Sequence, residues 1–200
     1  MSRLQMNKSS LAQQHKDLAT YKKYLPSLDL KRQQLMTERA KARACLKEMQ
    51  IKQQKLIQWV KDELPMLANH DVNVNDLVTV KDVKLAQENV VGTRLPIIEF
   101  IHLHTQKYSL LAKPHWVDNA VQVISEGLQN ALSIHVQQQR LTLLDRAVTT
   151  ITQRVNLFEK VLIPKAEDNI KKIRIYLSDE QMTAVVRSKI AKRKRAGMAV

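Results

Sequence analysis

The chain is poor in the residues that build tight turns, cross-links and aromatic pockets. Its 200 residues include 3 Gly, 5 Pro, 1 Cys and 8 aromatic side chains (2 Trp, 4 Tyr and 2 Phe). Scarce glycine argues against barrels, sandwiches and nucleotide-cradling folds, which need positive φ at turns and close backbone approaches. The single Cys45 excludes a disulfide framework within the chain and fits a reducing cytoplasm. No apolar run approaches the ~20 residues that span a bilayer. The longest, Leu95–Ile101, is interrupted by Pro96 and Glu99. Met1 to Lys16 is polar and lacks the apolar core of a secretory signal. The expected location is the cytoplasm, dissolved or peripheral to a membrane.

What is abundant is Gln, Lys, Arg, Leu and Ala, the straight-chain helix formers. The net charge is +14 and it is unevenly spread. Residues 1–64 carry 14 basic and 6 acidic side chains, residues 65–124 carry 5 and 6, and residues 125–200 carry 14 and 7. Two basic flanks around a neutral middle imply an acidic partner: nucleic acid, anionic lipid or an acidic protein cavity.

The flanks have a helical period. Leu4, Leu11, Leu18 and Leu25 recur every seven residues, and Tyr21, Leu28, Leu35, Ala42, Met49 and Leu56 form a second row offset by three. Arg32, Arg39 and Gln53 fall on the first row and make the seam imperfect. Pro26 lies within this pattern and predicts a local kink in one continuous helix. In the C-terminal flank, Ile134, Leu141, Val148, Val155 and Leu162 form one row and Leu144, Ile151 and Phe158 its partner. Pro164 disturbs the pattern, which resumes at Ala166, Ile170, Ile173 and Leu177; Ser178 and Asp179 offer a new N-cap. Gly127 is tolerable inside the helix at a cost of ~1 kcal/mol.

The middle changes character. Val78, Val80 and Val83–Leu85 read as strand, and Gln87–Asn89 as turn or edge. Val90 to Leu103 reads as extended chain with a turn at Gly92. The expected fold is mainly α. A long antiparallel two-helix coiled coil of the N- and C-terminal segments carries a small hairpin-containing insert at its turn. The parts are residues 1–64, a middle insert 65–115, and residues 116–200. Pairing from the insert outward places Leu35 near Leu144 and Leu11 near Asn169, and leaves Arg174–Arg195 beyond the reach of the first helix.

Three stretches carry a resemblance. Arg154-Val155-Asn156-Leu157-Phe158-Glu159-Lys160-Val161-Leu162-Ile163-Pro164, followed by Ile170-Lys171-Lys172-Ile173 and Leu177-Ser178-Asp179-Glu180, resembles the signature of the D subunit of the V/A-type rotary ATPases. Asn89-Val90-Val91-Gly92-Thr93-Arg94-Leu95-Pro96 is similar to that family's Asn-Ile-Ala-Gly-Val-Lys-Leu-Pro stretch. Asn7-Lys8-Ser9-Ser10-Leu11 and Leu28-Asp29-Leu30-Lys31-Arg32-Gln33-Gln34-Leu35 complete an ordered match over about residues 3–195. Leu25-Pro26-Ser27-Leu28 departs from the helix-friendly residues of other members and suggests a bacterial branch.

The resemblance implies a central rotor shaft of a V/A-type ATPase. Such a shaft couples ATP synthesis or hydrolysis in the A/B hexamer to ion translocation. Its coiled coil stands in the bore of the A and B subunits. It also binds the F subunit and the ring-capping subunit of C or d type. No catalytic, cofactor or metal role falls to this chain, and it has no Walker-type Gly-Lys-Ser/Thr loop. The shaft is not itself a membrane span and takes no nucleic acid; in the cell it is peripheral to the inner membrane.

The remaining chemistry-bearing residues read plainly. His102 and His104, one residue apart, lack a third ligand at metal spacing. His70-Asp71 and His115 have no companion motif. Cys45 reads as a packed small residue, and Trp59 and Trp116 as packing together at the insert end. Arg187, Lys189, Lys192, Arg193, Lys194 and Arg195 read as a shaft tip. The alternative is a basic coiled-coil module for nucleic acid or anionic membrane.

Overall fold

The computed structural model describes residues 5–68, 77–106, 108 and 113–197. Leu4, His70 and Asp71 therefore lie outside the described residues. Helix accounts for 79% of the described residues. Helix α1 (Lys8–Glu63) is followed by a 3-10 turn (Pro65–Ala68), strands β1 (Val78–Val90) and β2 (Thr93–Thr105), helix α2 (Trp116–Leu157), a π-helical turn (Phe158–Leu162) and helix α3 (Ile163–Gly197). The fold is thus mainly helical, with long N- and C-terminal helices and a small antiparallel sheet between them.

Helix α1 starts where Asn7 caps it: the Ser10 N–H donates to Asn7 Oδ1 at 2.7 Å, satisfying one orphan amide of the first turn. It passes through Pro26 unbroken. On the other side, Ser178 and Asp179 do not cap a new helix. Helix α3 runs through them, and the Asp179 carbonyl accepts from Thr183 Oγ1 at 2.7 Å. Apolar i, i+4 continuity from Ile173 to Leu177 outweighs the local capping preference there.

Pro164 is accommodated by the turn before it. The backbone of Leu157 and Ile163 is right-handed helical, and the Ile163 N–H reaches back five residues to the Phe158 carbonyl. A proline ring collides with the carbonyl four residues back and offers no N–H. The wider π turn relieves both problems.

The residues divide into two compact units, Met1–Lys31 with Thr150–Val200, and Arg32–Thr149. In the first, α1 and the C-terminal helix pair antiparallel. Asn169 Nδ2 donates to Gln14 Oε1 at 3.3 Å, and the Tyr21 ring meets Phe158 edge-on at 5.5 Å. Lys22 Nζ is 2.8 Å from Glu167. Val155, Ala166, Ile170 and Ile173 are buried in this unit. Asn169 thus meets Gln14, about one turn (~5 Å) from the level of Leu11 expected from the heptads. Pairing also reaches Arg174, whose Nη2 lies 3.1 Å from His15 Nε2. The overhang therefore begins at Ser178, later than the expected Arg174; every described side chain from Ser178 to Arg195 is exposed.

In the second unit the pairing is again antiparallel. Arg43 and Arg39 approach Asp145 at 3.2 and 3.6 Å, Gln137 Nε2 donates to the Ala42 carbonyl at 3.2 Å, and Lys52 meets Glu126 at 3.1 Å. Leu35, Ala42, Val136, Leu144 and Val148 are buried.

The hairpin is longer on its first arm than the sequence suggests. Gln87, Glu88 and Asn89 are strand residues paired with Pro96, Leu95 and Arg94. The turn is confined to Val91 and Gly92, with φ of 52° and 85°. Two successive positive φ values match the right-handed twist of the flanking strands. The Gly92 N–H donates to Asn89 Oδ1 at 3.0 Å.

Candidate interaction surfaces

Among the described residues on the heptad rows, none is fully exposed. Leu35, Leu144, Val148, Ile151 and Val155 are buried. Leu11, Leu18, Leu25, Leu28, Met49, Leu56, Ile134, Leu141, Phe158 and Leu162 are half-buried. A two-helix seam has only one partner face, so half-burial is the expected state for most of its positions. The row carries a polar interruption. Gln53 Oε1 and Asn130 Nδ2, both in the second unit, are buried without hydrogen-bond partners. Each unmet group costs about 1–3 kcal/mol. Cys45 is half-buried.

The root of the insert has its own core: Leu64, Leu77, Trp116, Val117 and Ala120 are buried, with Val60, Leu67, Tyr108, Val121 and Val123 packed against them. The Tyr108 hydroxyl donates to Asp118 Oδ1 at 2.5 Å. That hydrogen bond, with partial burial and the carboxylate's charge, raises the phenol above its ordinary 10.0. The two tryptophans, expected to pack together, stand in different environments. Trp116 sits in this core, whereas Trp59 is 45% exposed. Trp59 lines an open groove of about 380 Å³ with Leu56, Asn119, Gln122, Val123 and Glu126. Trp59 immediately precedes Val60, a half-buried position on the first heptad row, and so flanks the stripe and stands on the rim.

A charged contact joins the hairpin to α2. Leu95 is fully buried on β2. Arg140 on α2 places Nη2 2.6 Å from Glu88 Oε2 on β1, with the arginine side chain only 14% exposed. A charge-assisted bond at low exposure is stronger than the solvent-facing pairs along the helices. Neither partner stands out in the sequence, because 52 residues separate them. Val136 was also not legible as seam, although it lies eight residues before buried Leu144 on the same helix face.

His102 and His104 are exposed on β2. The His102 ring stands edge-on to Phe100 at 5.0 Å, and Lys84 Nζ lies 4.7 Å over the Phe100 ring. Among the described residues no group of three His, Cys, Asp or Glu side chains converges as metal ligands do. No helix among them is long and apolar enough to cross a membrane.

The C-terminal end of α3 presents Arg187, Lys189, Lys192, Arg193, Lys194 and Arg195, all exposed. Cations at this end offset the negative pole of the helix. Met182, Val185, Val186 and Ile190 are exposed among them. So much apolar surface on a charged helix marks a face suited to a partner.

The fold and these surfaces define a class: an α-helical coiled-coil protein with a β-hairpin insert, whose distinctive features are packing seams and exposed faces. Within that class, residues 10–193 match the family model for the D subunit of ATP synthase. The chain is 37% identical over 192 residues to the D subunit of the V-type ATP synthase of Borreliella burgdorferi, covering 96% of this chain and 95% of the relative. It is 31% identical over 195 residues to the D subunit of the V-type ATP synthase of Chlamydia trachomatis serovar L2, with 96% of each covered. It is 30% identical over 197 residues to the protein of that name in Chlamydia felis, covering 96% and 94%. The chain belongs to the family of ATP synthase D subunits.

Proposed function

We propose that this chain is the central rotor stalk of a V-type ATP synthase. It couples ATP synthesis or hydrolysis in an A/B hexamer to ion movement across the membrane and carries out no bond chemistry itself. The observation that carries this reading is the family match across nearly the whole chain, residues 10–193. The exposed, mixed basic and apolar end of α3 supports it, because a projecting helix of this kind needs an outside surface. In this reading residues 1–64 and 116–200 form the shaft through the seam from Leu11 to Leu162, and residues 65–115 form its foot. The tip, Arg187 to Arg195, enters the bore of the hexamer. The F subunit and the ring-capping subunit bind nearer the foot, and the complex is peripheral to the inner membrane.

The mechanism is mechanical. A packed seam resists twisting. Exposed cations meet acidic or polar walls through water-screened contacts that exchange as the shaft turns. Each orientation favours a different set of nucleotide-site conformations, which is a reciprocal coupling between angle and occupancy.

The test is single-molecule rotation. A bead fixed to this chain in an A/B complex is expected to turn in steps during ATP hydrolysis. Hydrolysis with a stationary bead refutes the shaft. Tight, salt-dependent binding of the chain to DNA or anionic vesicles, with none to the hexamer, points instead to a basic binding module.

A further inference from the structure

Both helices of the first unit carry a backbone defect at one level. In α1, Pro26 has no N–H to give to the Lys22 carbonyl, so one rung of the helical ladder is missing. In the C-terminal helix, the π turn Phe158–Leu162 sends the Ile163 N–H to Phe158, and Pro164 has no N–H for Lys160. The cross-helix contacts align the two. Tyr21 packs edge-on against Phe158, and Lys22 meets Glu167. The π turn and Pro164 lie between those two C-terminal residues. Pro26 lies one helical turn, about 6 Å, beyond Lys22. Side-chain packing nevertheless continues through this level, with Leu25, Leu28 and Leu162 half-buried and Val155 and Ala166 buried.

We propose that this level is a compliant joint in which the two helices loosen together while their seam stays packed. A defect in one helix of a pair is splinted by the intact backbone of its neighbour. Here neither helix has an intact ladder to act as the splint. Bending and twisting are therefore concentrated where the missing backbone bonds coincide, and the apolar contacts keep the helices from parting. Kinks and π turns are the usual sites of such local give. The inference rests on the backbone alone and stands whether or not the chain is a rotor.

Amide hydrogen exchange on the full chain tests it. Fraying from the ends gives protection that falls steadily toward Lys8. The joint gives a local minimum instead, with amides at 22–30 and 158–168 exchanging at least tenfold faster than those at 13–18 and 33–39. Pro26→Ala restores a donor in α1. Its expected effect is tenfold or more slower exchange at 22–30 and also at 158–168 on the opposite helix. Pro164→Ala gives the mirror result, slowing 22–30 as well as its own segment. A steady gradient in the wild-type chain, or slowing confined to the substituted helix in both variants, overturns the joint.

Discussion

Ending the chain after Leu177 removes the part of α3 whose described side chains all face solvent. The last contact with α1 that this truncation spares is Arg174 with His15. Few intramolecular contacts are lost, so the melting temperature of the isolated chain is expected to move by less than about 2 °C. A cost of 1 kcal/mol lowers it by roughly 2–4 °C at this size. The effect on assembly is larger. Met182, Val185, Val186 and Ile190 are 64%, 53%, 53% and 50% exposed. Full burial of such a side chain is worth about 1.5–3 kcal/mol, so the exposed half of each is worth roughly 1 kcal/mol. Four of them offer about 4 kcal/mol to a partner, and ~1.4 kcal/mol is tenfold in affinity. Ordering a helix that has no packing partner consumes part of this gain, because isolated helices of this length are marginal in water. Truncation is therefore expected to weaken binding to an A/B hexamer by about tenfold to a few hundredfold, read by titration of labelled chain. In the uncut free chain, amides across Met182–Ile190 are expected to exchange fast and to slow in the complex. Slow exchange there in the free chain, a fall in melting temperature above about 5 °C, or undiminished assembly refutes the reasoning.

Other expectations follow from single sites. Leu144→Ala empties a fully buried position and should cost about 2–5 kcal/mol in denaturant titration; a change below about 1 kcal/mol means the seam closes over the gap. Gly127→Ala should stabilise by about 0.5–1 kcal/mol. The added Cβ would stand 3.7 Å from Leu56 Cδ2, an ordinary contact, so a loss of stability counts against this packing. Val91 is a β-branched residue at φ 52°, and Val91→Asn should stabilise the hairpin by about 1 kcal/mol, seen as a higher melting temperature. Tyr108 should titrate above the ordinary 10.0 because its neutral phenol donates to Asp118. Its folded value is the higher one, so its contribution to stability is present below pH 10 and fades as the pH rises through the folded pKa. Ultraviolet titration should lose a late-titrating phenol in Tyr108→Phe; an unchanged curve contradicts the bond.

The heptads from Leu11 to Leu56 and from Ile134 to Leu162 made two long helices and their antiparallel pairing legible, because a seven-residue apolar period is a local pattern that packing reinforces. The Val-rich stretch around Gly92 likewise identified a hairpin, since β-branched runs on either side of a glycine favour two strands and a turn. Only the tertiary structure decided the rest. Gln87–Asn89 became strand because Arg94 to Pro96 lie opposite and complete the ladder. Ser178–Asp179 stayed helical because nothing downstream of them breaks the apolar continuity from Ile173. Trp59 was turned onto a groove rim and Trp116 into a core by their positions around two helices, a matter of angle that composition does not carry. The Glu88–Arg140 contact joins residues 52 apart, and charge at such a distance has no signature until a fold brings the two side chains together. The coincidence of Pro26 with the π turn before Pro164 has the same origin. Each proline marks a weak rung by itself, and only the register between the helices places the two weak rungs at one level.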